Sequence, residues 1–527
     1  MLETTATREE SDVRVSDIVH PLVASVLAWR TLPLAIILSL QSLVALVALR
    51  NSAFQDEALY LYAGRQLLAQ YLGGPTVTDP FATYLSGHPD VYPLIAGTLD
   101  AIGGVMLARL LSLVAMLIAT ACVYWIGVHI FTRQIAILGT ATFALQGTVI
   151  FLSRLATYDA MCLSLLAIAI VLAFRSSLDE RPWRVAILGP VLVLGFFAKY
   201  VFLLWTPTVF AVAALVVWRH RGLRAACTRV LLLLATTAVT AALAVALAGP
   251  PFIHALLFST LARQSSVTIA PVPRPALLWE VISYGGIELG LGIAGAFAAP
   301  KGQRLLAWLF VASSLLAPAY HVEHAEPVSL TKHLAYGMVF AAPLAGLAIQ
   351  RLVGWLPSHA ARPPQGAAQW MVALPIFLII FTLGLRQAQT LYEQWPNSAQ
   401  MVTVMRSLVR PNSGIYLAED MEVNRFYLQD VSSDWQWTGP FWFEYKTKQG
   451  QMLYGTDAYK QAINDGYFSA VELSFGTNPA LDSTLKAELT SSQKYDLVAR
   501  IYYKDAFGGG YYYIWRLRAP GSSAPPK

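Results

Sequence analysis

The chain has 527 residues, of which 56% are hydrophobic and 13% charged, with a mean hydropathy of +0.52; soluble domains carry about twice that share of charge. This composition excludes a water-soluble globular protein. The net charge of +6 would suit a polyanion, but residues 386–527 balance 14 basic against 14 acidic side chains, so all of the excess lies in the apolar part and no nucleic-acid partner is implied.

Charge is unevenly placed: residues 386–527 hold 28 charged side chains and the 385 residues before them hold 40. The chain therefore divides into a long membrane part and a C-terminal soluble domain of ordinary polarity. Spanning helices need about 20 mostly apolar residues, and eleven runs qualify: 32–49, 105–126, 135–152, 155–174, 185–198, 201–218, 230–247, 277–299, 305–319, 334–349 and 370–385. The segment 1–31 lacks a short apolar stretch followed by a small-residue cleavage site, so the first run reads as a retained anchor.

Basic loops stay on the cytoplasmic side. With the N-terminus inside, the inner connections carry 15 Lys and Arg and the outer ones seven. Eleven crossings then put residues 386–519 outside, facing the periplasm or exterior. Three outer segments are long, 50–104, 249–276 and 320–333, and long connections are where function concentrates. In the first, residues 57–71 (EALYLYAGRQLLAQY) are predicted to form a helix lying in the membrane interface.

Within the C-terminal part, strands are predicted over 414–417, 470–475, 495–503 and 511–517. Gly508-Gly509-Gly510 turns the last two into a hairpin, and 457–465 forms a short helix, giving a small α+β unit. Residues 520–527 read as a disordered tail. The three cysteines, Cys122, Cys162 and Cys227, all precede this unit, which therefore has no disulfide framework.

Chemistry-bearing residues gather on the outer side. Asp56-Glu57 follows the first run in NSAFQDEALYLYAGRQL. Asp56 can cap the following helix with Glu57 complementing its dipole, and a capped carboxylate keeps lone pairs with which to accept a proton. His88 sits in SGHPDVYP, where two prolines impose an extended path; a turn residue and a ligand or acid are both open. Arg154 and Asp159 in RLATYD are five apart, too far round a helix to pair, so each seeks a partner elsewhere. Lys199 stands in an apolar connection, Arg263 in FSTLARQSS and Lys332 in SLTKHLAYGMV. With His88 and Arg154 they make five cationic positions able to meet a lipid phosphate. His321, Glu323 and His324 have the side chains of a zinc or manganese site but not the HExxH spacing; a solvated or pocket-lining loop is the preferred reading, and no metal is indicated. Trp435, Trp437 and Trp442 crowd SDWQWTGPFWFEY, where aromatic faces suit sugar rings as well as a core.

This constellation resembles the GT-C superfamily of integral-membrane glycosyltransferases, in particular glycosyltransferase family 39 (the dolichyl-phosphate-mannose protein mannosyltransferase type) and the lipid A aminoarabinose transferases. The resemblance covers most of 32–349. It rests on the Asp56-Glu57 pair heading the first outer loop, His88-Pro89 where relatives have His-Pro-Pro or Lys-Pro-Pro, Arg154 with Asp159, Lys199 at the fifth helix end, and Lys332 before a helix with a proline, Pro343. Asp90 replaces a second proline, and Lys332-His333 replaces Arg-Tyr.

The resemblance implies a polytopic α-helical membrane protein of GT-C type: a catalytic module over 32–385 with its outer loop at 50–104, and an extracytoplasmic α+β domain over 386–519. It implies a polyprenyl-phosphate sugar as donor and a cell-envelope lipid, polysaccharide or protein as acceptor. It further implies Asp56 as general base, Glu57 and Asp159 as its supports, and Lys199, Arg263, Lys332, His88 and Arg154 against the donor phosphate, with inversion in a single displacement. Trp435, Trp437 and Trp442 would meet the acceptor. The rival class is a secondary transporter of a lipid-linked or small anionic substrate, which would place ionisable residues near the bilayer midplane; here they stand mostly at outer helix mouths.

Overall fold

The computed structural model describes residues 15–79, 81–262, 272–354, 365–441 and 443–519. The expectations for 1–14 and 520–527, and those for Arg263 and Trp442, concern positions outside the described residues.

Helices run in the order α1 Val15–Ala48, α2 Gln55–Tyr71, α3 Phe81–Tyr84, α4 Tyr92–Ile130, α5 Arg133–Leu145, α6 Gly147–Leu152, α7 Tyr158–Leu178, α8 Leu188–Ala198, α9 Thr206–Leu257, α10 Arg274–Ala298, α11 Arg304–Ser314, α12 Leu316–Glu323, α13 Leu330–Gly354 and α14 Gln365–Tyr392. Each of the eleven apolar runs lies mostly in helical structure. Among the described residues, seven segments, rather than eleven, are long and apolar enough to cross a membrane, and two shorter ones, Thr31–Val47 and Pro182–Ala198, are apolar. One of the seven, Tyr200–Leu261, is broken at Gly222 and Gly249, which have φ of 80° and 73°, a conformation only glycine adopts without strain.

Helix α13 lies at the centre, with Leu334 to Ile349 buried almost throughout. Small residues let its neighbours approach: a Cβ on Gly295 of α10 would lie 2.0 Å from the Leu344 carbonyl oxygen, and one on Gly139 of α5 2.3 Å from that of Ala342. Without a hydrophobic drive between helices in lipid, such close backbone packing is what orders a bundle. Trp205 stacks on Tyr336 of α13 at 5.1 Å and donates to the Ser313 carbonyl.

Helix α2 takes the range expected for the interfacial helix but a different setting. Tyr60, Leu61, Tyr62 and Ala63 are buried, in a cluster with Tyr92 and Ala96 of α4 and with Met401, Met405 and Phe426 from the C-terminal region. Protein, rather than the lipid interface, covers its apolar face.

The C-terminal region adds α15 Ala399–Leu408, α16 Met421–Tyr427, α17 Gly455–Asp465 and α18 Pro479–Ser491 around strands β1 Ile415–Ala418, β2 Trp437–Thr438, β3 Glu444–Lys446, β4 Met452–Tyr454, β5 Phe468–Leu473, β6 Tyr495–Asp505 and β7 Gly508–Leu517. A five-stranded sheet has the order β2-β1-β5-β7-β6, with β1 parallel to both neighbours and the rest antiparallel. The hairpin exists, but its glycines are strand residues. The turn is made at Ala506-Phe507, where Asp505 Oδ1 accepts the N–H groups of Phe507 and Gly508.

Four acidic side chains, Glu419, Asp420, Glu472 and Asp482, are packed together beside β5. Glu419 accepts the backbone N–H groups of Ser474, Phe475, Thr477 and Asn478. Burial pushes its carboxyl up, but hydrogen bonds from Asp482, Ser474 and the Thr477 backbone outweigh this and hold it below its usual range. Burial raises Asp420 to about 7 and Asp482 to about 9, with the Glu419 charge adding to both. Unfolded aspartates titrate near 3.9. The folded chain therefore binds more protons than the unfolded one from about pH 4 up to these values, and stability increases as pH falls across that window. Glu419 acts in the opposite sense, and its contribution is lost on acidification below the ordinary carboxylate range. The thermal midpoint of the solubilised protein, followed by tryptophan fluorescence, is expected to be higher at pH 5.5 than at pH 8.5. Asp482→Asn should flatten that difference.

Candidate active site

Helix α2 begins at Gln55, and the N–H of Phe54 before it donates to Glu57 Oε2 at 2.9 Å. Glu57, three residues into the helix, thus closes its first turn, the role expected of Asp56. Glu57 also receives Arg109 Nη2 on Oε2 at 2.7 Å, and Arg109 Nε and the Ala156 N–H on Oε1 at 2.8 and 2.7 Å. An ionised carboxylate offers about four lone-pair sites, and all are taken. Arg109 uses four of its five N–H donors, the other two of these bonds going to the carbonyls of Asn51 and Ser52, both at 3.1 Å. Both side chains are buried.

Asp56, one position earlier, faces another way. Its Oδ2 accepts Lys332 Nζ at 2.6 Å. Lys332 also lies 5.3 Å from the centre of the Phe54 ring. A second pair stands close enough for the charges to act on one another: Lys199 Nζ donates to Asp159 Oδ1 at 2.6 Å and lies 4.9 Å from the Tyr158 ring centre. Asp159 is in the first turn of α7, where the helix dipole favours a carboxylate, and Thr157 Oγ1 and Tyr336 OH donate to it. Lys199 is 3% exposed, so it points inward to a carboxylate and does not snorkel.

These pairs open on one cavity of about 2620 Å³, whose wall includes Asp56, Lys199, Lys332, Tyr60 and Tyr158. The two tyrosine rings stack at 4.5 Å. Burial and the Asp56 charge hold the Tyr60 hydroxyl well above its ordinary range, so it stays protonated and can donate.

The opposite wall is C-terminal. It includes Met421, Glu422 and Arg425 of α16 together with Asp434, Trp435 and Trp437. Arg425 bridges to Asp79 of the outer loop at 2.6 Å and Glu422 accepts Gln55 Nε2 at 3.0 Å. Burial raises the Glu422 carboxyl above its usual range. Trp437 is buried against Tyr416, whereas Trp435 is 56% exposed.

Compared with known proteins, the chain matches no family profile and no curated sequence. Solved structures do resemble it. ArnT from Cupriavidus metallidurans, apo and bound to undecaprenyl phosphate, superposes with a TM-score of 0.59 at 14% and 15% identity, over 93–94% of this chain and 98–100% of that one. The archaeal oligosaccharyltransferase AglB from Archaeoglobus fulgidus, in complex with an inhibitory peptide and a dolichol-phosphate, gives 0.53 at 14% identity over 92% and 74%. The fold is that of the GT-C membrane glycosyltransferases. Nearly the whole chain, sheet region included, takes part in the first match.

On this GT-C frame the sequence candidates separate. Asp56, Lys199 and Lys332 come together at the cavity, with Asp159 directly behind Lys199. Glu57 lies beneath them, its lone pairs spent on structure. Arg154 is buried outside the cavity wall, where Nη2 contacts Met106 Sδ at 3.6 Å and Nε and Nη1 have no hydrogen-bond partner among the described residues. His88 also stands off the wall: its ring packs on Phe197 and Phe252, its Nδ1 accepts the Asp90 N–H at 3.3 Å, and burial lowers its basicity. Among the described residues, His321, Glu323 and His324 belong to no group placed to hold a metal ion. Glu323 faces Arg274 at 3.9 Å, and His324 Nδ1 donates to the Tyr320 carbonyl. Arg109, Tyr60 and Arg425 were not singled out as site residues. For Arg109 the signal was present, an arginine inside an apolar run, which is a functional suspect by default.

Removing one partner of a buried ion pair strands the other charge, at a cost of about 3–5 kcal/mol. Arg109→Met is therefore expected to lower thermal stability by that order. The double variant Arg109→Met/Glu57→Gln should recover part of the loss, measured as the melting temperature in the same detergent.

Proposed function

We propose that the protein is a glycosyltransferase that moves a hexosyl or pentosyl group from a polyprenyl-phosphate donor to a hydroxyl of a cell-envelope lipid, polysaccharide or protein. The observation that carries this reading is the Asp56–Lys332 pair beside Lys199 on a cavity large enough for a lipid-linked sugar and its acceptor. The binding of undecaprenyl phosphate by ArnT and of dolichol-phosphate by AglB supports a lipid-phosphate ligand here.

In the proposed reaction the acceptor oxygen attacks the anomeric carbon. Its proton passes to Asp56, the carbon–oxygen bond to phosphate breaks, and polyprenyl phosphate leaves with one further negative charge. Lys199 and Lys332, held ready by carboxylates, meet that charge. Arg263, which follows the wall residues Ser259 and Thr260 in sequence, is a third cation for it. As Lys332 turns toward the phosphate it releases Asp56 to act as base. Displacement from the face opposite the phosphate inverts the anomeric centre. Tyr60 donates to the sugar, and Trp435 and Trp437 form the acceptor side.

The charge asymmetry of the loops favours a cytoplasmic N-terminus and an extracytoplasmic domain over 386–519, so transfer takes place at the outer membrane face. The clustering of charges at one end of the helices disfavours a transporter.

Purified protein given radiolabelled polyprenyl-phosphate sugars and envelope acceptors should transfer label. Asp56→Asn should lower kcat by about 10²- to 10⁴-fold, the usual worth of a general base, without weakening polyprenyl-phosphate binding. Lys199→Ala should weaken that binding by about 10- to 100-fold, as loss of a charged hydrogen bond implies. Undiminished transfer by Asp56→Asn would remove it as base.

A further inference from the structure

On the same cavity wall, two imidazoles are joined end to end. His321, in the last turn of α12, has Nδ1 2.6 Å from the Glu326 carbonyl oxygen and Nε2 2.8 Å from His333 Nδ1. A carbonyl oxygen only accepts, so His321 Nδ1 carries hydrogen. With His321 neutral, its Nε2 accepts and His333 Nδ1 donates, which leaves a bare lone pair on His333 Nε2. That nitrogen is buried, has no hydrogen-bond partner among the described residues, and belongs to a side chain on the cavity wall shared with Asp56.

The charged and titratable groups around the pair come from six places. They are Lys199 and Asp159 at the ends of α8 and α7, Lys332 and Tyr336 on the helix of His333, Asp56 of α2, Tyr320 and His324 of α12 and its end, and Glu326 in the following turn. Two ammoniums beside His333 oppose a lasting positive charge there. Burial opposes a charge on His321 as well, and the Glu326 carbonyl and carboxylate offset this only in part.

A carboxylate that has taken the acceptor's proton must be ionised again before the next turnover. An imidazole is the side chain suited to take a proton near neutral pH.

We propose that His333 and His321 form a relay that removes the reaction's proton from Asp56. The proton that Asp56 takes from the acceptor hydroxyl passes to His333 Nε2 as the His333 Nδ1 proton moves to His321 Nε2. Asp56 is again a carboxylate, His333 is neutral in its other tautomer, and the single positive charge rests on His321 against Glu326. No electrons are exchanged. The relay rests on the transferase reading, and both histidines act through Asp56 as positioning residues.

The test pairs the pH dependence of steady-state, multiple-turnover transfer with ¹⁵N spectra of the full chain labelled at histidine. Wild-type transfer should fall on acidification below the ordinary imidazole range, because a filled relay takes no proton and burial holds both imidazoles below that range. His333→Gln should be slower by about 100-fold at neutral pH and lose that acid limb, while binding polyprenyl phosphate as the wild type does. His321→Gln should also lose the limb. The spectra should show His321 and His333 both carrying hydrogen on Nδ1, with His333 Nε2 unprotonated. Wild-type rate and pH profile in His333→Gln, or hydrogen on His333 Nε2 at neutral pH, would overturn the relay. Failure of every lipid-linked donor to support transfer would instead remove the transferase reading, and the same spectra, followed through acidification for charge appearing first on His321, would still decide the relay.

Discussion

The Glu57 carboxylate accepts four hydrogen bonds from three separate segments: the residue before α2, Arg109 of α4, and the Ala156 N–H just ahead of α7. A buried charge is tolerated only when paired and fully hydrogen-bonded, so this arrangement admits little slack. It fastens the start of α2 to α4 and α7, and with that start the direction of Asp56. Successive helical residues point about 100° apart, since 3.6 make a turn. With Glu57 turned inward, its neighbour is free to face Lys332 across the cavity.

From that anchor the rest of the cavity wall follows. Asp159, placed by the first turn of α7, draws Lys199 in from the end of α8, and Lys332 arrives from the start of α13 to meet Asp56. Each ammonium is neutralised by one carboxylate and so can sit in a largely desolvated wall. The C-terminal region completes the cavity. Its α16 packs on α2, and the Arg425–Asp79 and Glu422–Gln55 contacts join it to the outer loop. The helix that carries Asp56 is thus held from both sides.

Much of the fold was legible because its signals are local. Apolar runs announce helices by length alone, and α2 and the β6–β7 hairpin were readable from pattern. The short elements were not: β2 has two residues, β3 and β4 three each, and α16 seven, too few for any periodicity to show. The glycine run at 508–510 marked the hairpin but not its turn, because the Asp505 side chain fixes that one step earlier. The interfacial reading of α2 went astray because its amphipathic face matches a membrane surface as well as it matches a protein one.

At the site, residue types were readable and partnerships were not. Asp56, Asp159, Lys199 and Lys332 stand out as charges at helix mouths in an apolar chain, and the energetic cost of leaving a charge in such a setting makes them conspicuous in sequence. Which carboxylate holds which ammonium, that Glu57 is spent on structure while Asp56 faces the cavity and Lys332, and that His321 and His333 meet nitrogen to nitrogen depend on segments 12 to more than 270 residues apart. Composition and spacing determined that this chain is a bundle of apolar helices with its chemistry at one end. Only tertiary packing decided the pairing there, because hydrogen bonds and ion pairs are set by distance and direction in space, which no local pattern encodes.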